Sequence, residues 1–170
     1  LLGSNQRGPA AAERINHQVP RSGAVLQGFR DQLDRYGELN TIATKWRSAL
    51  ERLPPTTTLV VNVDDPTLAA ITDGLAAKRI GFGLDEARYR LDALPHAADA
   101  ATCRRCGADL VYDALYVSHL GHWRCPSCGN ARPRPDVTGA AVELNGVDSL
   151  RVSLTGRETP LTLSVGVPGL

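Results

Sequence analysis

The sequence predicts an α/β fold, a parallel sheet built around a βαβ unit, with a small cysteine-bound insert and C-terminal β-hairpins. Three observations carry that prediction. A β-branched apolar run, Thr56 to Val63, leads through Asp65-Pro66 into a helical stretch and then into a second short apolar run, Lys78 to Phe82. The four cysteines form two C-x-x-C pairs eighteen residues apart. Beyond them, three alternating segments are separated by Asn145-Gly146 and by Gly156.

In chain order, residues 1–27 show little periodicity and are left as an N-terminal segment of undefined structure, with at most a weak helix at 10–16. From Leu39 to Leu53, apolar residues recur at three and four: Leu39, Ile42, Ala43, Trp46, Ala49, Leu50 and Leu53. Lys45, Arg47 and Arg52 fall between them. That is an amphipathic helix with one buried stripe, stopped by Pro54-Pro55. Thr56 to Val63 reads as a buried parallel strand interrupted only by Asn62. Asp65 is an N-cap acceptor and Pro66 suits the first helical position, so a helix is expected over 66–75, ending near Gly74. A right-handed crossover would return the chain to the strand at Lys78 to Phe82. Residues 84–100 are polar and alanine-rich and read as a connector. Arg132 to Pro135 (RPRP) reads as an exit linker, and Val137–Leu144, Leu150–Leu154 and Leu161–Val167 as antiparallel strands.

The most specific chemistry belongs to Cys103, Cys106, Cys125 and Cys128. Four thiolates at this spacing suit a tetrahedral zinc ion with bonds of about 2.3 Å. Gly107 and Gly129 follow the second cysteine of each pair, where a metal knuckle needs a residue tolerant of positive φ. Leu110 to Trp123 suits a strand or hairpin, so residues 101–130 read as a zinc ribbon. Two disulfides or a thioredoxin-like redox pair are the competing readings; the absence of an export signal and the symmetry of the pairs weigh against them. With four thiolates the coordination sphere is full, so the zinc is structural, and His119 and His122, near the knuckles but not needed as ligands, read as surface residues or as residues beside the metal ligands.

Two further stretches could carry chemistry. In Phe29 to Glu38, the residues Asp31, Gln32 and Asp34 could sit at a strand-to-helix edge that holds magnesium and phosphate, or the stretch could be the solvated start of a helix. At the carboxyl end of the buried strand, the Asn62 amide presents a donor beside an acceptor, which matches the edge of adenine; the alternative is that Asn62 satisfies a neighbouring loop and Asp65 caps a helix.

Nineteen basic and eighteen acidic side chains leave a net charge of +1, so no global field draws the chain to nucleic acid. No run of about eighteen apolar residues predicts a membrane span. The N-terminus lacks the order of a secretory signal, and a cytoplasmic protein is expected.

Taken together, FRDQLDRYGE at 29–38, LVVNVDDP at 59–66, the paired C-x-x-C motifs, RPRP and the closing VPGL resemble the central domain of the MurT subunits of lipid II isoglutaminyl synthases, relatives of the Mur ligases. The resemblance covers about residues 28–170, and the zinc ribbon inserted in a Mur-type central domain is its most specific feature. It implies an ATP-dependent amide ligase subunit. Such a subunit activates the α-carboxyl of D-glutamate in the lipid II stem peptide as an acyl phosphate. Ammonia from the glutaminase partner GatD then displaces the phosphate. It further implies that Asn62 contacts adenine, that Asp31 and Gln32 lie beside the magnesium and phosphate, and that the four cysteines bind structural zinc.

The sequence departs from the family in places. No GTNGKT-type phosphate loop is present: Gly3 to Gly8 is only faintly similar and lacks the lysine. Gln27 stands where the family usually has asparagine, and Gln32 where other Mur ligases often have histidine. The family's C-terminal domain, with its catalytic aspartate, is not in the sequence, so the chain alone is expected to be inactive. The reading from another class is a zinc-ribbon module that binds nucleic acid or protein through Arg104, Arg105, Arg124, Arg132 and Arg134.

Overall fold

The computed structural model describes residues 24–26, 36–91, 100–146, 149–156 and 161–166. The elements are β1 (Ala24–Leu26), α1 (Tyr36–Leu50), β2 (Thr58–Asn62), α2 (Pro66–Ile71), β3 (Lys78–Leu84), β4 (Val111–Val117), β5 (Leu120–Arg124), β6 (Val137–Asn145), β7 (Ser149–Thr155) and β8 (Leu161–Gly166). Among the described residues no helix is long and apolar enough to cross a membrane.

Six strands form one sheet in the order β1-β2-β3-β6-β7-β8, and β4 pairs with β5 in a separate hairpin. β1, β2, β3 and β6 run parallel, whereas β6, β7 and β8 are antiparallel neighbours. The fold is therefore mixed α/β, with the expected βαβ unit at β2-α2-β3 and the expected C-terminal hairpins. β1 falls in the stretch where the sequence suggests no strand. Its three residues pair in parallel with Leu59 to Val61 at the sheet edge, too few to leave a periodic signal.

The core lies under α1. Ala43, Leu50 and Leu53 bury against Leu59 and Val61 of β2 and Leu68 and Ile71 of α2, with Trp46 partly buried beside them. Leu50, Leu59, Val61 and Leu68 are among the largest fully buried side chains, each contributing about 1.5–3 kcal/mol by leaving water. α1 starts and ends about three residues earlier than its apolar stripe suggests. Its last turn carries Arg47, whose guanidinium donates to the Ile71 carbonyl at 3.1 Å and to that of Asp73, which ties α1 to the end of α2.

α2 is shorter than expected because the Thr72 hydroxyl bonds back to the Leu68 carbonyl at 2.7 Å and Gly74 turns out at φ +65°. The connector begins with a 3₁₀ turn, Ala87–Tyr89, capped by Glu86. β6 carries a bulge between Ala140 and Glu143, with Ala141 at φ 48°. Glu86 and Arg88 fill it: the Val142 amide donates to Glu86 Oε2 and Arg88 donates to the Val142 carbonyl, both at 2.9 Å.

The unit holding the four cysteines is the connection between β3 and β6, which are parallel neighbours. A helix usually makes such a crossover. Here residues 85–136 make it, and they return the chain to the sheet edge beside β3.

Candidate metal centre and strand-end site

The four thiols meet as the spacing predicts. Cys103, Cys106, Cys125 and Cys128 have all four sulfurs within 4.8 Å of one another and could hold a metal ion. A tetrahedron of sulfurs about 2.3 Å from a central ion has edges of about 3.8 Å. The Cys103–Cys128 and Cys106–Cys125 sulfur pairs lie at 3.7 and 3.5 Å, so the donor set fits such an ion and the thiols are free rather than bridged.

Each pair forms a knuckle closed by a backbone hydrogen bond, Gly107 to Cys103 at 2.8 Å and Gly129 to Cys125 at 3.1 Å. Gly107 and Gly129 adopt φ of 77° and 73° there, the left-handed region that disfavours a side chain. The knuckle amides lower two of the thiols, Cys103 and Cys125. Burial would raise the Cys103 thiol, but the amides of Arg105 and Cys106 and the side chain of Asn130 outweigh it and hold the thiol at about 6. The Cys128 amide lowers Cys125 in the same way.

The unit has its own small core of Leu110, Trp123, Cys103 and Cys125, and Ala69 of α2 completes it. One face of α2 thus packs in the main core through Leu68 and Ile71 while Ala69 belongs to the cysteine unit.

Between the knuckles, β4 and β5 form a hairpin whose tip turns at Ser118, φ 52°, and His119. Residues just past the tip dock onto the carboxyl ends of β2 and β3. His119 Nε2 lies 3.3 Å from Asp65 Oδ2. The Gly121 amide donates to the Asp64 carbonyl at 3.0 Å. His122 Nε2 donates to the Leu84 carbonyl at 3.0 Å, and the Trp123 indole to the Val63 carbonyl at 3.1 Å. The sequence reading set both histidines at the surface or beside the knuckles. Instead His119 is only 7% exposed, and each histidine fastens the hairpin to the sheet. The signal available was the period-two placement of His119, Gly121 and Trp123, with His122 on the other parity; their partners lie at positions 63–65 and 84, out of reach of local pattern.

The Asn62 amide sits where the sequence places it, at the carboxyl end of β2 and 6% exposed. Its Oδ1 accepts the Asp64 amide at 3.0 Å, and Asp65 caps α2 by accepting from Thr67 and Leu68, so the structural roles weighed for both residues are present. Asn62 also lines a cavity of ≈ 270 Å³. By strand register, Asn62, Phe82, Leu84, Val137, Gly139 and Leu154 share one sheet face, and all six line it. Tyr116, Val117 and Leu120 of the hairpin line it as well. The slot is apolar apart from a few polar groups, the pattern of a small-molecule site.

Asp64 closes the strand end. Its carboxylate takes the Leu84 amide at 2.7 Å and the Arg132 guanidinium at 2.5 Å. Burial pushes the Asp64 carboxyl up, and the Arg132 charge pulls against that. Gly83 makes room for the pair: a Cβ there would collide with both side chains. Arg132, read as part of an exit linker, is thus a part-buried strut. Arg124 pairs with Asp113, and Arg104 reaches Asn40, so three of the five arginines weighed for nucleic-acid binding are engaged within the chain. Asp31 and Gln32 lie outside the described residues.

No protein-family model matches the chain. Two curated relatives bear on it. The MurT subunit of lipid II isoglutaminyl synthase (glutamine-hydrolyzing) of Streptococcus pneumoniae is 31% identical over 128 residues, covering 75% of this chain and 28% of the relative. The same subunit of Staphylococcus aureus (strain COL) is 28% identical over 126 residues, covering 70% of this chain and 26% of the relative. The chain therefore spans little more than a quarter of the length of the relatives it matches. Its identity is MurT-like: the chain is a relative of the MurT subunits of lipid II isoglutaminyl synthase.

Proposed function

We propose that this chain is the zinc-bearing, nucleotide-contacting region of a Mur-type ATP-dependent amide ligase subunit that works in peptidoglycan synthesis. The substrate is the stem peptide of lipid II, whose D-glutamate α-carboxyl would receive ammonia from a glutaminase partner of the GatD kind. ATP would activate that carboxyl as an acyl phosphate, and ammonia would displace phosphate. The curated relatives carry the names of glutamine-hydrolysing lipid II isoglutaminyl synthase subunits, which supports the assignment. Turnover is assigned to the complete subunit together with its partner. A cytoplasmic location follows from that role.

The observation that carries the reading is Asn62, an amide at the carboxyl end of a parallel strand that lines a mostly apolar slot. In an open α/β sheet, ligands gather at that end of the strands. Asn62 would address the edge of adenine, with Phe82 beside it. Asp31 and Gln32 are assigned to the magnesium and phosphate side on the resemblance of FRDQLDRYGE alone. Magnesium would supply charge neutralisation on the phosphates. The thiol quartet would hold zinc, which would supply folding energy and no reacting group.

The test is a calorimetric titration of the chain with ATP and with GTP, alongside the metal content of the purified protein. ATP binding weakened about tenfold by Asn62→Ala, the loss of roughly one hydrogen bond, and about one zinc per chain are expected. Equal affinity for both nucleotides with no effect of Asn62→Ala would remove the adenine assignment.

A further inference from the structure

The base slot has a wall that no adenine-reading residue accounts for. Val117 and Leu120 flank the tip of the β4–β5 hairpin as a cross-strand pair, and both line the cavity that Asn62 and Phe82 line from the sheet. Val117 is 58% exposed, an apolar side chain standing at the mouth of an apolar slot. The tip cannot swing freely. His119, Gly121, His122 and Trp123 each hold the hairpin to the strand ends at 3.0–3.3 Å. Gly121 is pressed against the β4 backbone so closely that a Cβ would clash with Ala114 and Leu115. The wall is therefore rigid before any ligand arrives, and a preorganised wall spares the ligand the ordering cost of building one.

We propose that Val117 and Leu120 are base-contacting residues, so that the hairpin of the cysteine unit is one side of a purine slot and Asn62 with Phe82 is the other. The proposal rests on the reading of Asn62 as an adenine contact. It adds that the insert contributes to ligand binding as well as to folding. The chemistry is apolar contact with a flat heteroaromatic ring, which a valine and a leucine supply without selecting among ring substituents; selection is left to the Asn62 amide.

The experiment is an amide NMR titration of the whole chain with adenosine, repeated on Val117→Trp. Val117 is exposed enough for the indole to occupy the mouth without entering the core. Saturable shifts of the Val117 and Leu120 amides in step with the Asn62 side-chain amide are expected, with adenosine affinity at least tenfold weaker in Val117→Trp and the spectrum otherwise retained. Shifts at Asn62 with none at Val117 or Leu120, and unchanged affinity in Val117→Trp, would overturn the wall while leaving the adenine contact standing. No saturable shift at Asn62 in the unaltered chain would overturn both.

Discussion

The indole nitrogen of Trp123 donates to the carbonyl oxygen of Val63 across 3.1 Å, a buried hydrogen bond between the cysteine unit and the first residue beyond β2. Val63 is wholly buried and Trp123 nearly so, so neither group has water to fall back on. Trp123→Phe keeps most of the packing and strands the Val63 oxygen. It should cost about 1–3 kcal/mol of unfolding free energy, read from a lowered midpoint of urea unfolding. An unchanged midpoint would mean that the hairpin is not seated on the strand end.

Metal removal should act through the same unit. Chelation takes away the ion, and Cys125→Ser one corner of the thiol quartet; either loses the folding energy that a bound ion supplies. For a chain of this length a loss of several kcal/mol lowers the melting midpoint by roughly 10 °C. Hydrogen exchange should report the loss first in residues 101–130. A melting curve indifferent to chelator would exclude a structural ion.

Arg132, part-buried, pairs with the buried Asp64, and removing the guanidinium leaves a buried charge without compensation. Arg132→Met should destabilise by about 3–5 kcal/mol near neutral pH. Burial already raises the Asp64 carboxyl above its usual 3.8, with Arg132 opposing, so losing the guanidinium raises it further. The folded state then holds the Asp64 proton more tightly than the unfolded chain does. The variant's deficit should shrink as pH falls and grow as pH rises through the window between the raised Asp64 value of the wild type and the still higher one of the variant. Adding Asp64→Asn should recover part of the loss at neutral pH. Thermal melts of the variants across pH 4–8 check this.

Glu86 gives the opposite slope. The Arg88 side chain and amide, with the Val142 amide, hold its carboxyl down to about 2 from an ordinary 4.5. A carboxyl lowered on folding stabilises above its unfolded value, and that contribution disappears as pH falls from about 4.5 towards 2. The acid limb of the stability curve should therefore flatten in Glu86→Gln, which keeps the shape and removes the titration. Acid titration of both proteins followed by circular dichroism distinguishes them; superimposable limbs would show that the bulge in β6 does not depend on that charge.

Much of this was legible in the residues because the signals are local. The helical stripe through Ala43, Trp46 and Leu50, the Asp65-Pro66 start of α2, the thiol spacing and the Asn145-Gly146 turn each act within a few positions. The turn is realised with Gly146 at φ 60° between the paired strands β6 and β7. What escaped is non-local. His119 finds Asp65, Arg132 finds Asp64 and Glu86 finds Val142, partners 54 to 68 positions apart, which no window of sequence contains. The bulge at Ala141 escaped for the same reason, since it depends on the Glu86 and Arg88 side chains that fill it. The candidate site was legible to the extent that Asn62 stands out in an apolar strand. That a hairpin from the insert forms its far side was not.

The route from β3 to β6 has a consequence for assembly. Among the described residues of that connection no α-helix holds those strands in register, and the gathered thiols act as a splint across fifty-odd residues of chain. Tying such a span together early lowers the entropic barrier to a distant pairing. Scarcity of the ion during biosynthesis should therefore stall the joining of the C-terminal meander to the rest of the sheet, a defect of maturation rather than of chemistry.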